Sequence, residues 1–156
     1  MGKAEEARAN FYKGYNCAQS VLLAFAGECG LTESQAARIG ASLGGGMGRL
    51  REVCGALSAI LVLDGLLEGY ETPGDASAKA AHYARVQALA AAFREEHGAI
   101  LCRELLKLPA GASVPTPEAR TPEYYRQRPC PELCASAARI FEEYLRREPE
   151  SEERGR

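Results

Sequence analysis

The chain lacks several features that mark common classes of protein. Its most apolar segment, residues 53–67, is too short to span a membrane and is interrupted by Asp64. Its 19 basic residues nearly balance its 21 acidic residues, so charge gives no indication of a nucleic acid or an anionic membrane as partner. The first ten residues lack the apolar core of a signal peptide. These absences predict a cytoplasmic protein that binds neither nucleic acid nor membrane.

The sequence also has no stretch in which apolar and polar residues alternate, as in a half-buried strand, and no internal repeat. The predicted fold class is therefore all-α, a single compact bundle of about six to seven helices. Caps, periodicity and helix-stopping residues place these helices at 3–13, 17–28, 33–43, 52–68, 76–96, 99–107 and 131–147. We expect one helical domain over residues 1–147 and a charged, disordered tail over residues 148–156.

The helix at about 52–68 is the one around which the others are expected to pack. Its apolar residues are scattered around every face, which is typical of a helix buried on all sides. Two earlier helices begin with capping-box patterns, Asn16 with Gln19 and Thr32 with Gln35. Four prolines between residues 108 and 122 predict an irregular loop before the last helix.

The chain has six cysteines but lacks the cysteine spacing of the common metal-binding and redox motifs. No two are spaced as C-x-x-C, which excludes the thioredoxin motif and ordinary zinc ribbons. A reducing cytosol disfavours structural disulfides, so the cysteines are packing groups, metal ligands or redox groups. Four fall at predicted helix N-termini, whereas Cys29 ends its helix and Cys134 lies one turn inside the last helix. The four are Cys17, Cys54, Cys102 and Cys130.

A helix N-terminus alone does not ionise such a thiol. It stabilises an anion by about 0.3–1 kcal/mol, which lowers a thiol pKa of roughly 8.5 by less than about one unit. If the four thiols converge, mutual repulsion opposes their joint ionisation. A metal ion or iron–sulfur cluster can hold them as thiolates, or pairs of thiols can form a reversible disulfide. Packing as small buried hydrophobes is the remaining alternative for each cysteine.

A glycine-rich loop precedes the second of these cysteines. It has no Gly-Lys-Ser/Thr ending and no preceding strand, so it is not a phosphate-binding P-loop. Bare backbone can approach another group closely, and we predict that the glycines line a metal, cluster or disulfide site. The predicted cofactor-binding glycines are Gly44, Gly45, Gly46, Gly48 and Gly55.

Five other polar residues are weaker candidates for this site. Arg49 and Arg51 could offset thiolate charge, but solvated surface is the more common role for such residues. His82 and His97 could ligate a metal, yet exposed surface is again the more common role. Asp64 lies in a very apolar helix, where a carboxylate is paired or placed at a helix–helix seam.

The motifs YNCAQSV at residues 15–21, GGGMG at 44–48 and VCGALS at 53–58, followed by Cys102 and Cys130, resemble a known family. It is the redox-active family named for its C, GCAxxG, C, C signature, and the resemblance runs from about residue 11 to residue 144. Its four characteristic cysteines correspond to Cys17, Cys54, Cys102 and Cys130. Ala59 replaces the last signature glycine, and both residues are small enough for close helix packing.

The resemblance implies a redox protein of undefined reaction. A related cysteine-bearing domain in split-Soret cytochromes holds an iron–sulfur cluster, which makes such a cluster the first expectation, ahead of zinc or no cofactor. The primary hypothesis is electron transfer through a cluster or other metal held by the four cysteines, with an unknown redox partner protein or a second copy of the chain. The alternatives are a metal-free dithiol oxidoreductase or sulfur carrier, and a helical partner-binding protein whose cysteines only pack.

Overall fold

The structure is a computed structural model that describes residues 1–147, and within that range it is helical with no β-strand. The all-α prediction is confirmed, whereas the predicted tail at 148–156 lies outside the described residues. Six helices have eight or more residues and three elements are shorter. The elements are α1 (Lys3–Tyr12), α2 (Cys17–Ala24), α3 (Glu33–Gly40), α4 (Gly44–Met47), α5 (Gly55–Glu68), α6 (Ala76–His97), α7 (Cys102–Leu105), α8 (Pro122–Gln127) and α9 (Cys130–Arg147).

Helix α5 lies at the centre, as its sequence predicts. It packs against α2, α6 and α9, and its Leu57, Ile60 and Leu63 side chains are almost fully buried. The last turn departs from the prediction of burial on every side, because Leu66 and Leu67 are 48% and 38% exposed. Helices α1, α2 and α9 pack against one another, and the core they share includes Phe11 of α1, Phe25 just after α2 and Phe141 of α9.

Capping residues determine where several helices begin. The Asn16 side chain accepts a hydrogen bond from the Gln19 amide, and Thr32 does the same for Gln35, so both predicted capping boxes form. Helix α6 begins after Asp75, whose carboxylate accepts from the Ala78 amide, and it ends at Gly98 in a left-handed conformation.

Several predicted boundaries are wrong. Helix α2 stops at Ala24, and the chain continues to Gly30 in tight turns, so Cys29 lies beyond the helix. The helix predicted at 99–107 shrinks to Cys102–Leu105, because residues 99–101 run alongside residues 52–54 instead. Helix α8 was not predicted, although Thr121 caps it and Pro122 occupies its first position.

The buried carboxylate of α5 is paired, as expected of a charge in an apolar helix. Asp64 is 1% exposed and lies 3.3 Å from both the Arg85 guanidinium and the His82 ring of helix α6. The His82 side chain therefore packs against α5, and the expectation that it lies on exposed surface is wrong. No helix within residues 1–147 combines the length and the apolar character needed to cross a lipid bilayer.

Candidate functional site

Four helix starts carry the four predicted cysteines. Cys17, Cys102 and Cys130 are the first residues of α2, α7 and α9, and Cys54 is the residue that precedes α5. Cys17, Cys102 and Cys130 line one cavity, and the Cys54 backbone pairs with the segment that carries Cys102. The structure thus gathers side chains from four distant segments into one site.

A short antiparallel pairing fixes two of these cysteines relative to each other. The Cys54 amide donates to the Ile100 carbonyl at 2.8 Å, and the Cys102 amide donates to the Glu52 carbonyl at 2.6 Å. This pairing replaces the helical hydrogen bonds predicted for residues 99–101. It places Cys54 and Cys102 on adjacent backbone segments, each at the start of a helix.

The glycine loop is a left-handed turn, which we call the glycine turn and define as residues 44–51. Backbone φ is positive at five consecutive residues, 45–49, and again at Arg51. Three of these six positions are not glycine, and each such residue costs roughly 1–2 kcal/mol in this conformation. Hydrogen bonds from the Arg51 and Glu52 amides to the Gly45 and Gly46 carbonyls hold the turn. Strain of this kind is a common property of functional sites.

Three of the predicted glycines lie so close to neighbouring segments that they leave no room for a side chain. A Cβ atom at Gly46 would lie 2.7 Å from the Cys102 Cβ and 2.7 Å from the Glu52 amide nitrogen. A Cβ at Gly44 would lie 2.5 Å from the Asn16 side chain, and one at Gly55 would lie 2.8 Å from the Leu43 carbonyl oxygen. Close backbone approach therefore accounts for these three glycines.

Cys17 is the thiol whose surroundings favour the anion. Hydrogen bonds from the Cys130 and Cys134 thiols hold the pKa of Cys17 well below its usual value, and the Gly45 backbone N–H adds to them. Cys17 also begins α2, where the helix dipole stabilises negative charge. The side chain is half-buried and faces a cavity.

The neighbouring thiols are held neutral. Burial, with the Cys17 charge nearby, raises the pKa of Cys54 to about 12. The hydrogen bond to Cys17 raises the pKa of Cys130, and burial raises the pKa of Cys134. The Cys134 sulfur also lies 3.6 Å from the Cys17 carbonyl oxygen. The surroundings therefore favour the anion at Cys17 and the neutral thiol at its neighbours.

Arg51 is buried beside Cys102, contrary to the expectation of solvated surface. It is 4% exposed, and its guanidinium donates to the Cys102 sulfur at 3.4 Å and to the Ser113 hydroxyl at 2.8 Å. Burial raises the pKa of Cys102, and Arg51 opposes that rise. A guanidinium next to a thiol is the less common of the two roles predicted from the sequence for Arg51.

A cavity of about 300 Å³ opens over the thiols. Cys17, Cys102 and Cys130 reach its wall, together with Gly44, Gly45 and Gly48 of the glycine turn. Gly46 is buried behind Cys102, and neither Cys54 nor Gly55 lines the cavity. The loop after residue 108 and helix α8 close the other side through Pro115, Pro117 and Tyr124.

The remaining candidates lie elsewhere. Cys29 packs at the edge of the core, and burial raises its pKa. His82 pairs with Asp64, and the His97 ring nitrogen Nε2 lies 2.7 Å from the Ser136 hydroxyl. None of these residues lines the cavity. Cys134, by contrast, belongs to the site, and its position one helical turn after Cys130 was the available signal.

The thiols are not arranged as ligands around a common point. Among residues 1–147, no group of three or more histidine, cysteine, aspartate or glutamate side chains is placed to hold one metal ion. The thiol set nevertheless has the soft-ligand chemistry of an iron–sulfur or zinc site.

Comparison with known proteins gives one match. A family model described as "Putative redox-active protein (C_GCAxxG_C_C)" matches residues 15–144. The match therefore includes all the cysteines of the site, the glycine turn and helices α2 to α8. No match was found among curated proteins or among solved structures.

Proposed function

The chain belongs to the C_GCAxxG_C_C family, and from this membership and the site geometry we propose that it is a dithiol–disulfide exchange protein. Cys17 is the nucleophile and Cys130 is the resolving thiol. The observation that carries the proposal is the position of Cys17 at a helix start and on a cavity wall that Cys130 also lines, in surroundings that lower the pKa of Cys17. A nucleophile of this kind needs a lowered pKa and access to its substrate.

The exchange proceeds in two balanced steps. The Cys17 thiolate attacks one sulfur of a substrate disulfide, forms a mixed disulfide and releases the other sulfur as a thiolate, which takes up a proton. Cys130 then loses its proton and attacks the Cys17 sulfur, which forms the Cys17–Cys130 disulfide and releases the second substrate thiol. Two protein thiols are thereby oxidised and one substrate disulfide is reduced. An external dithiol reductant restores the starting state by the reverse exchange.

Cys130 fits the resolving role better than Cys134. Both thiols hydrogen-bond to Cys17, but Cys130 reaches the cavity wall, whereas Cys134 is fully buried. A mixed disulfide on Cys17 points into the cavity, where Cys130 already lies next to it. We assign Cys134 a supporting role, because its buried thiol donates to the Cys17 carbonyl oxygen at 3.6 Å.

Alkylation with iodoacetamide tests this assignment. In the reduced protein at pH 7, we expect Cys17 to be carboxamidomethylated faster than every other cysteine, as read by mass spectrometry of peptides. A stoichiometric disulfide oxidant should yield a Cys17–Cys130 disulfide, and Cys130→Ser should trap the mixed disulfide on Cys17. Cys29→Ser is the matched control, because Cys29 lies outside the site. Equal, slow labelling of all six thiols would refute the proposal.

An iron–sulfur cluster for electron transfer is the second candidate. What favours it is that the four signature cysteines share one site, and thiolates are the usual ligands of such clusters. The present arrangement does not fit a cluster, since three sulfurs never surround a common point in the described part of the chain. We therefore derive no step through a cluster; binding one would require the thiols to move together.

Anaerobic preparation separates the two candidates. Protein purified without oxygen and reconstituted with ferrous iron and sulfide should remain colourless and iron-free if the site is a dithiol. Visible absorption with stoichiometric iron and acid-labile sulfide, lost in a Cys54→Ser variant, would establish the cluster instead. Cys29→Ser again serves as the control, because it should not alter either result.

A further inference from the structure

We propose that the cavity over Cys17 selects small anionic disulfides, with carboxylate-bearing substituents, as its substrates. This inference rests on the proposed exchange function and adds to it a class of substrate. It is carried by the charges and the size of the cavity, both of which are independent of the thiol chemistry.

The cavity wall is strongly basic, in contrast to the chain as a whole. Four arginines line it, while a single carboxylate, Glu118, does so among the described residues. The formal charge of the wall is thus positive by three, whereas the whole chain carries a net charge of −2. Even a full negative charge on Cys17 leaves the cavity positive. The four arginines are Arg49, Arg51, Arg120 and Arg128.

Two of the four arginines are held in place by neutral groups alone. Arg120 donates to the Phe11 and Tyr15 carbonyls at 2.6 and 2.8 Å, and Arg51 donates to a serine hydroxyl and a thiol. These partners hold the guanidinium groups without cancelling their charge. Glu118 is shared, because it pairs with Arg128 at 2.6 Å and with Arg49 at 3.7 Å. Guanidinium groups held in this way are suited to bind carboxylates.

The cavity size favours a small molecule over a folded partner. Its volume of about 300 Å³ lies at the lower end of the range of small-molecule sites, about 300–1,000 Å³. The proline-rich loop and helix α8 cover one side of it, so a flat protein surface could not bring a disulfide to Cys17. A disulfide with short, charged substituents could enter and place its sulfur against Cys17, with its carboxylates among the arginines.

Three disulfides of similar size and different charge test the proposal. They are dithiodipropionate, hydroxyethyl disulfide and cystamine, which are anionic, neutral and cationic. For each disulfide, the rate of mixed-disulfide formation at Cys17 is measured in the full-length reduced protein. That rate is divided by the rate at which the same disulfide reacts with a small neutral thiol. The anion should then react at least roughly tenfold faster than the cation, and added salt should reduce the difference.

Two variants separate charge from structure. Arg128→Gln and Glu118→Gln break the same ion pair, but the first removes a positive charge from the cavity and the second removes a negative one. The normalised rate with dithiodipropionate should fall in Arg128→Gln and rise in Glu118→Gln, each by roughly three- to tenfold. Arg126→Gln, a loss of charge outside this cavity, should leave the rate unchanged.

The outcomes distinguish the substrate class from the exchange function. Equal normalised rates for the three disulfides, or a shift in the same direction for both cavity variants, would overturn the anionic class. If neutral iodoacetamide still labels Cys17 first in that case, the exchange function survives. If iodoacetamide shows no preference for Cys17, the exchange function itself fails, whatever the charge dependence.

Discussion

Replacing Gly46 by alanine tests whether the glycine turn is packed against the thiol site as tightly as the structure shows. The added Cβ would lie 2.7 Å from the Cys102 Cβ, 2.7 Å from the Glu52 amide nitrogen and 2.8 Å from the Glu52 carbonyl oxygen. Two of these three atoms belong to backbone, so no rotation of a side chain relieves the contact. Either the glycine turn or the segment that carries Cys102 must move.

Gly30→Ala is a matched control for this variant. The two glycines have nearly the same left-handed backbone, with φ of 65° at Gly46 and 68° at Gly30, but nothing lies within 4 Å of a Cβ built at Gly30. Both alanines carry the cost of a left-handed conformation, roughly 1–2 kcal/mol, which is partly offset by the lower entropy of the unfolded chain. Only Gly46→Ala adds overpacking, which costs about 1–3 kcal/mol.

We therefore expect Gly46→Ala to be less stable than Gly30→Ala by about 1–3 kcal/mol in urea unfolding of the reduced protein. For a chain of this length, the gap corresponds to a difference of roughly 3–10 °C in Tm. Gly46→Ala should also slow iodoacetamide labelling of Cys17, because the displaced turn no longer presents the Gly45 N–H to the sulfur. Equal stability of the two variants would show that the turn does not pack against Cys102.

Three further predictions follow from buried charges and thiols. Since the pKa of Cys54 is raised to about 12 from an ordinary 9.0, its neutral form stabilises the fold fully below pH 9 and loses that contribution as the pH rises. The unfolding free energy of wild type should therefore fall more steeply above pH 9 than that of Cys54→Ser, by about 1.4 kcal/mol per pH unit, and equal slopes would contradict this. Arg51→Met should slow alkylation of Cys102 roughly tenfold at pH 8, with partial rescue by Arg51→Lys; an unchanged rate would exclude the hydrogen bond. Asp64→Ala should cost about 3 kcal/mol in urea unfolding, because it leaves Arg85 buried without its carboxylate, and an Asp64→Leu/Arg85→Met double variant should regain most of that loss.

The parts of the fold that could be predicted from sequence depend on interactions between residues close together in the chain. Asn16 and Thr32 mark helix starts because a short polar side chain satisfies a free backbone amide at that position, and the structure contains both capping boxes. The apolar residues around α5 predict its central place for an equally local reason. The cysteine positions at helix starts could be read in the same way, because each depends on the residues next to it.

The parts of the fold and of the site that could not be predicted depend on contacts between residues far apart in the sequence. The segment at 99–101 has helical composition, but it pairs with residues 52–54, which are distant in sequence. The sequence predicts Arg51 at the surface, but the left-handed turn directs its side chain to Cys102 and Ser113. The basic cavity is assembled from residues of four separate segments, so its charge is invisible in a composition that is nearly balanced overall. Helix α8 is different, since Thr121 and Pro122 did offer a start signal within the proline-rich stretch.

The pairing of α2 with the start of α9 has a consequence for the order of events during synthesis. Cys17 and Cys134 are separated by 117 residues of chain, and Cys130 lies in the same late segment. A ribosome releases Cys17 long before it releases the two thiols that lower its pKa. The nascent polypeptide therefore exposes an ordinary, weakly nucleophilic cysteine, and the reactive form arises only when α9 docks. Premature oxidation of the emerging chain is limited because the contacts that make the finished protein reactive have not yet formed.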